Sequence, residues 1–155
     1  MNEELNKNQT VSSKPNDIVK FEGKYEFLSN EYNCEVKYEN YVFQSAAALF
    51  YALKAIDKGA FRKFQRMSPL KAKSKMQLLP PNEDYEEHKE YYLEKAVRAK
   101  FDSNPNLVKL LLKTGEAKLL NNVTHLDDWI GIRKDKGYNA LGKVLMKLRD
   151  EYKSS

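Results

Sequence analysis

Cysteine is almost missing from this sequence: Cys34 is the single one. One cysteine forms no internal disulfide, and the two histidines, His88 and His125, stand at no spacing that would hold zinc. No metal site is expected, and both histidines read as surface residues. No apolar run approaches the ~18 residues of a membrane span. The opening stretch MNEELNKNQTVSSKPND has no apolar core of a secretion signal. These absences point to the cytoplasm and away from a membrane partner. Standard catalytic motifs are missing too: no G-x-S-x-G, no P-loop, no G-x-G-x-x-G and no H-E-x-x-H. No cofactor is implied.

What remains is an ordinary globular composition, 41% hydrophobic and 32% charged over 155 residues. That length fits one domain with a real core. The net charge of +5 and the pI near 9.1 fit polyanionic partners, nucleic acid or phosphorylated small molecules. They fit a lysine-solubilised surface equally well.

Residues 1–17 are polar and aperiodic and read as a disordered tail, leaving 18–153 as the domain. DIVKF reads as a short strand, followed by the loop EGKYEFLSNEYN. CEVKY and YVF flank Glu39-Asn40 as a tight hairpin. A helix is expected from Ser45 to about Lys58, stopped by Gly59. AFRKFQRM, PLKAKSKMQLL and NEDYEEHKEYYLEKAVRAKF are helical, the last with Leu93, Ala96, Val97 and Phe101 on one face. NLVKLLLKTG and a final helix carrying Leu141, Val144, Leu145, Leu148 and Tyr152 follow. The fold class is α+β: a predominantly helical single domain with a small N-terminal antiparallel β-sheet.

Polar residues of chemical interest gather at three places: FLSN, the helix FQSAAALFYALKA, and DDWIG with Asn139 behind it. Ser45 is the expected N-cap of the helix. Ala46-Ala47-Ala48 make a good first turn and supply no chemistry. Lys54 sits in a segment apolar almost all round, where an amine is either desolvated and activated or snorkels into water. Position 47 lies on nearly the same stripe, ~10 Å away along the axis. A carboxylate there and the Lys54 amine would converge on one ligand across Tyr51. Trp129, beside Asp127 and Asp128, reads either as a core cap or as an aromatic platform for a base or ribose. Tyr85, Tyr91 and Tyr92 read as core and rim.

FLSNEYN, the FQS helix ending in a lysine, SPLKAKSK, the EKAVRAKF-SNPNL-LLKTGEAKLL block, the DDW loop and YNALGKVLMKLR occur in an order that resembles the NADAR family. The resemblance covers about residues 19–152. It implies a YbiA-like fold and cleavage of N-glycosidic bonds to ribose. One branch of the family acts on phosphorylated intermediates of riboflavin synthesis, and another removes ADP-ribose from guanine in nucleic acid. Phe43, Ser45, Ala48, Phe50, Ala52 and Lys54 fit the family's first-helix motif, whose catalytic glutamate falls on Ala47 and whose glutamine falls on Tyr51. Trp129 is followed by Ile130, with Gly131 one place late. Asn139 and Leu141-Gly142 match N-x-L-G. Glu31 and Asn33 depart from FLSNFYP, which favours the nucleic-acid branch.

On this resemblance the catalytic positions are Ala47, Lys54 and Asp128, and Ser29, Asn30, Tyr51, Trp129, Gly131 and Asn139 bind substrate. Lys54 would attack the opened sugar as an amine or stabilise the departing base. Asp128 would orient the sugar beneath Trp129, and Asn30 and Asn139 would hydrogen-bond the ribose or base. The partner implied is ADP-ribosylated guanine in DNA, RNA or a nucleotide, with ribose-phosphate small molecules as the alternative. With Ala47 the chain should bind substrate and turn it over poorly. An engineered Glu→Ala change is the favoured account, ahead of natural decay to a binding module. A basic helical protein without chemistry is the third reading.

Overall fold

The chain order of the structure, a computed structural model, follows from where the backbone can be capped. It describes residues 14–55, 58–80, 82–123 and 129–155. Two short strands, β1 (Val36–Tyr38) and β2 (Tyr41–Phe43), precede α1 (Ala46–Ala52), α2 (Lys58–Lys63), α3 (Pro69–Leu78), α4 (Tyr85–Asp102), α5 (Pro105–Lys113) and α6 (Ala140–Ser154). The architecture is helix-rich with one two-stranded antiparallel sheet. Two units are compact: Met1–Ser29 with Lys109–Ser155, and Asn30–Val108. The division falls within α5.

In the unit 30–108, β1 and β2 pair Val36 with Phe43, Lys37 with Val42 and Tyr38 with Tyr41. Glu39 takes the left-handed conformation that this two-residue turn demands, at φ 54°. The outward N–H groups of a two-stranded ribbon need other partners. Lys37 donates to Ser103 Oγ at 2.9 Å, and Val42 to Gln65 Oε1 at 2.9 Å. Phe61 meets Phe43 edge-on at 5.3 Å and Tyr41 at 4.8 Å. Leu93, Ala96, Val97 and Phe101 of α4 are all buried, as their spacing requires.

Ser45 caps α1 from an extended conformation, its Oγ accepting the Ala48 N–H at 3.0 Å. All three alanines behind it are buried. Ser45→Ala should cost about 1–2 kcal/mol in urea unfolding, because it orphans a buried N–H. Ser45→Asn should recover most of that loss.

Four expectations need correction. The segment DIVKF forms no strand. Ile18 makes a single parallel bridge to Leu119, donating to the Lys118 carbonyl and accepting from Leu120. The expected loop EGKYEFLSNEYN contains a 3-10 helix, Gly23–Leu28, that takes in Phe27 and Leu28 of FLSN. The first helix ends at Ala52, six residues early, because its last turn tightens: Lys54 and Ala55 bond back three residues, to Tyr51 and Ala52. The Lys54 carbonyl then accepts from Asn82 at 3.0 Å, a donor outside the helix. Gly59 consequently lies inside α2 and stops nothing.

In the unit of residues 14–29 and 109–155, Leu28, Leu111, Leu119, Ile132, Leu141, Leu145 and Leu148 form the core. The buried guanidinium of Arg149 donates to Thr114 Oγ1 at 2.9 Å and the Ala117 carbonyl at 2.8 Å. Gly115, at φ +64°, turns the chain after α5. No helix among the described residues is long and apolar enough to cross a membrane. Residues 1–13 of the expected tail lie outside the described residues.

Candidate functional site

Within the unit 30–108, the Ala47 N–H donates to the carbonyl of Asn30 at 2.8 Å. This bond ties Asn30 to the first turn of α1 and makes it a neighbour of position 47. Asn30 is 7% exposed. Its Oδ1 is buried without a hydrogen-bond partner among the described residues. An acceptor left this way costs about 1–3 kcal/mol unless something donates to it.

Lys54 stands in the tightened turn beyond α1, so helical spacing does not set its distance from Ala47. It is half-buried, neither sealed in nor extended into water. Its Nζ lies 3.1 Å from Met76 Sδ and 5.2 Å from the centre of the Tyr85 ring. No carboxylate partners this amine among the described residues. A thioether and a ring face hold a cation loosely and leave its charge uncompensated. Tyr85 is buried and stacks on Tyr92 at 6.2 Å, while Tyr91 is exposed, which is the core-and-rim arrangement expected. Tyr51 is half-buried, 5.7 Å from Phe50.

Among the described residues of this unit the deeply buried lysine is Lys100 on α4, 1% exposed. Its Nζ lies 5.6 Å from the Tyr32 ring and 5.2 Å from that of Phe101. Burial pushes its ammonium down to about 8, an effect offset in part by Cys34. The Cys34 thiol is pushed up by its own burial, against the pull of Lys100. The spacing gave a signal for Lys100: it falls seven residues after Leu93 and four after Ala96, on the buried face. Between about pH 8 and 10.5 the unfolded lysine holds a proton that the folded one has lost, so this residue's contribution to stability rises with pH. Cys34 acts oppositely, because its folded thiol keeps a proton that the unfolded one gives up. Urea unfolding of the wild type against Lys100→Met should show the wild type gaining up to about 3 kcal/mol relative to the variant across that window.

The other candidates belong to the unit of residues 14–29 and 109–155. Ser29 is half-buried and donates its N–H to the Glu26 carbonyl at 2.9 Å. Trp129 is 8% exposed and its carbonyl accepts from Ala140 at 2.8 Å, the position of a residue that closes a core. Asn139, at φ 60°, uses both ends of its buried amide on backbone. Oδ1 accepts from Asn121 N–H at 3.0 Å, and Nδ2 donates to the Leu119 carbonyl at 3.0 Å. Those bonds make Asn139 the strut that starts α6. Gly131 is buried where a Cβ would overlap the Asn121 carbonyl oxygen and lie 2.9 Å from Val123 Cγ1. Asp128, with Asp127 and His125, lies outside the described residues. At the start of α4, Asp84, Glu87 and His88 bring ligand atoms within 4.8 Å of one another, all exposed. Exposed acidic groups gather in this way without an ion.

The NADAR domain pattern matches residues 14–153, nearly all of the described chain. The chain belongs to the NADAR family. N-glycosidase YbiA of Escherichia coli (strain K12) is similar to it, 30% identical over 130 residues that cover 82% of this chain and 81% of that protein. The NMR structure of the E. coli protein YbiA superposes with a TM-score of 0.79 at 30% identity, covering 94% of this chain and 89% of that one. A shorter similarity links this NADAR protein to the riboflavin biosynthesis protein PYRR, chloroplastic, of Arabidopsis thaliana. The two are 39% identical over 69 residues, 44% of this chain and 12% of that protein. The α+β, YbiA-like architecture is therefore the fold of this chain, and N-glycosidases are among its relatives.

Proposed function

We propose that this NADAR protein binds ADP-ribose attached to guanine, in nucleic acid or a nucleotide, at a site disabled for cleavage by Ala47. The observation that carries the reading is the Lys54 amine, held by Met76 and Tyr85 with no acid to neutralise it among the described residues. A cation so held suits a pyrophosphate, or the electron pair that moves onto the base as the bond breaks. Asn30 Oδ1 supplies the matching polar feature, a buried acceptor awaiting a donor such as a ribose hydroxyl.

In the reaction proposed for the active form, the C1′–N bond breaks and its electron pair stays on the guanine nitrogen. Water delivers hydroxide to C1′, and its other proton reaches the base. The carboxylate that the family resemblance places at position 47 carries that proton. Alanine cannot. Ser29, Tyr51, Asp128, Trp129 and Gly131 are proposed contacts on the family resemblance, and Asn139 acts through the backbone it holds. The similarity to PYRR favours a second reading, hydrolysis of a phosphoribosylated intermediate of riboflavin synthesis. A pocket for ribose phosphate serves both. A non-catalytic ADP-ribose module is what the Ala47 form would be if no active counterpart exists.

Calorimetric titration with ADP-ribose tests the reading. Lys54→Met removes the charge and keeps most of the bulk. It should weaken ADP-ribose binding by roughly 10- to 100-fold, the worth of a charge-assisted hydrogen bond. Unchanged affinity in a folded Lys54→Met protein would overturn it.

A further inference from the structure

The positive charge of this protein is concentrated. Residues 58–82 hold seven of its 27 lysines and arginines and none of its 22 acidic residues, so the rest of the sequence carries 20 bases against 22 acids. That segment is α2, the 3-10 turn Phe64–Arg66 and α3. Arg62, Lys63, Arg66, Lys71 and Lys73 are exposed and Lys75 is half-buried. None of these six is in an ion pair among the described residues. Elsewhere in the described residues some bases find acids: Lys37 with Glu35, Lys89 with Glu86, Arg98 with Glu94, and Lys153 with Glu116. Six uncompensated cations along two consecutive helices are costly to gather unless an anion neutralises them.

The placement is as informative as the charge. Helix α3 buries Ala72 and Met76, one turn apart, and packs that seam against α1. Lys71 and Lys75, each one residue earlier, border the same seam ~6 Å apart. Met76 is the residue whose sulfur holds the Lys54 amine. Lys71 and Lys75 therefore stand next to the residue that holds the candidate amine, within one unit.

We infer that α2 and α3 form a docking surface for the phosphodiester backbone of a nucleic acid. The inference rests on the reading of the Lys54 region as an ADP-ribosyl-guanine site, and it selects a polymer over a free nucleotide as the substrate. A lipid surface fits less well. Membrane-lying helices bury a continuous apolar face, and the apolar face of α3 is already spent on α1. Its exposed leucines, Leu70 and Leu78, stand at opposite ends of the helix.

The test is fluorescence anisotropy with a labelled 16-nucleotide single-stranded DNA across a salt series. It compares the wild type, the triple variant Arg62→Glu/Lys71→Glu/Lys73→Glu, and a charge-matched control, Lys24→Glu/Lys109→Glu/Lys113→Glu, at exposed lysines elsewhere. Each lost phosphate contact should lower the slope of log affinity against log salt by about 0.7. The first triple variant should lose about 2 from that slope and roughly 10-fold or more in affinity at 0.1 M salt. The control should keep the wild-type slope. Equal losses in both triples, a flat wild-type slope, or preference for phosphatidylserine vesicles over DNA would overturn the proposal. ADP-ribose titration of the same triple variant separates the two readings. Binding kept at the wild-type level places the defect in docking, whereas no ADP-ribose binding by the wild type removes the site on which the inference rests.

Discussion

Ala47→Glu should raise release of ADP-ribose from ADP-ribosylated guanosine by roughly 10²- to 10⁴-fold, the usual worth of a positioned proton-transfer group. The geometry favours a large effect. Position 47 is fixed to Asn30 through its own N–H, in the first turn of a helix that Ser45 caps. A side chain at 47 therefore starts beside the buried Asn30. A glutamate would cost stability, because Ala47 is 3% exposed and an ionised carboxylate in that setting must find a partner. The variant should therefore unfold at lower urea than the parent while turning over substrate faster. Ala47→Gln separates charge from bulk: it should show the same crowding and no gain in initial rate. Equal rates for the glutamate and glutamine variants would place the proton carrier elsewhere.

Gly142→Ala should be severely destabilising for a change of one methyl group. A Cβ at 142 would overlap the Leu119 carbonyl oxygen and both ends of the Asn139 amide. The oxygen is backbone and cannot swing away. The amide is the strut that joins the start of α6 to residues 119–121, so moving it breaks two hydrogen bonds, one of them buried. Overpacking and lost bonds together should cost about 3 kcal/mol or more, a fall of roughly 10 °C in Tm. Gly115→Ala is the useful comparison. Gly115 has the positive φ that Gly142 lacks, but nothing lies within 4 Å of its Cβ position, so only backbone strain of about 1 kcal/mol is expected. Similar losses at both positions, by urea unfolding, would show that close approach is not what demands glycine at 142.

What could be read in the sequence depended on range. Capping, pairing of neighbouring strands and helix faces are local, and Ser45, Glu39-Asn40 and the Leu93–Phe101 face showed themselves in the residues alone. The end of α1 is not local. Just past it the Lys54 carbonyl accepts from Asn82, 28 residues away, and no propensity in ALKAI announces that. Ile18 likewise finds its partner at Leu119, a pairing without a hairpin signal. At the candidate site the sequence singled out Lys54 as an amine of interest, and the structure gives it soft partners rather than deep burial. Among the described residues the deeply buried lysine is Lys100, which continues the apolar face of Leu93 and Ala96 although its side chain is charged. Asn139 matched a family position, but its two backbone bonds only exist in three dimensions.

Product identification by mass spectrometry tests the central claim most directly. The Ala47→Glu protein would be incubated with an oligonucleotide bearing one guanine-linked ADP-ribose. The expected products are free ADP-ribose and the oligonucleotide with its guanine restored, formed by the variant and not by the Ala47 parent. An intact substrate after prolonged incubation, or release of AMP by cleavage within the pyrophosphate, would contradict cleavage of the N-glycosidic bond at this site.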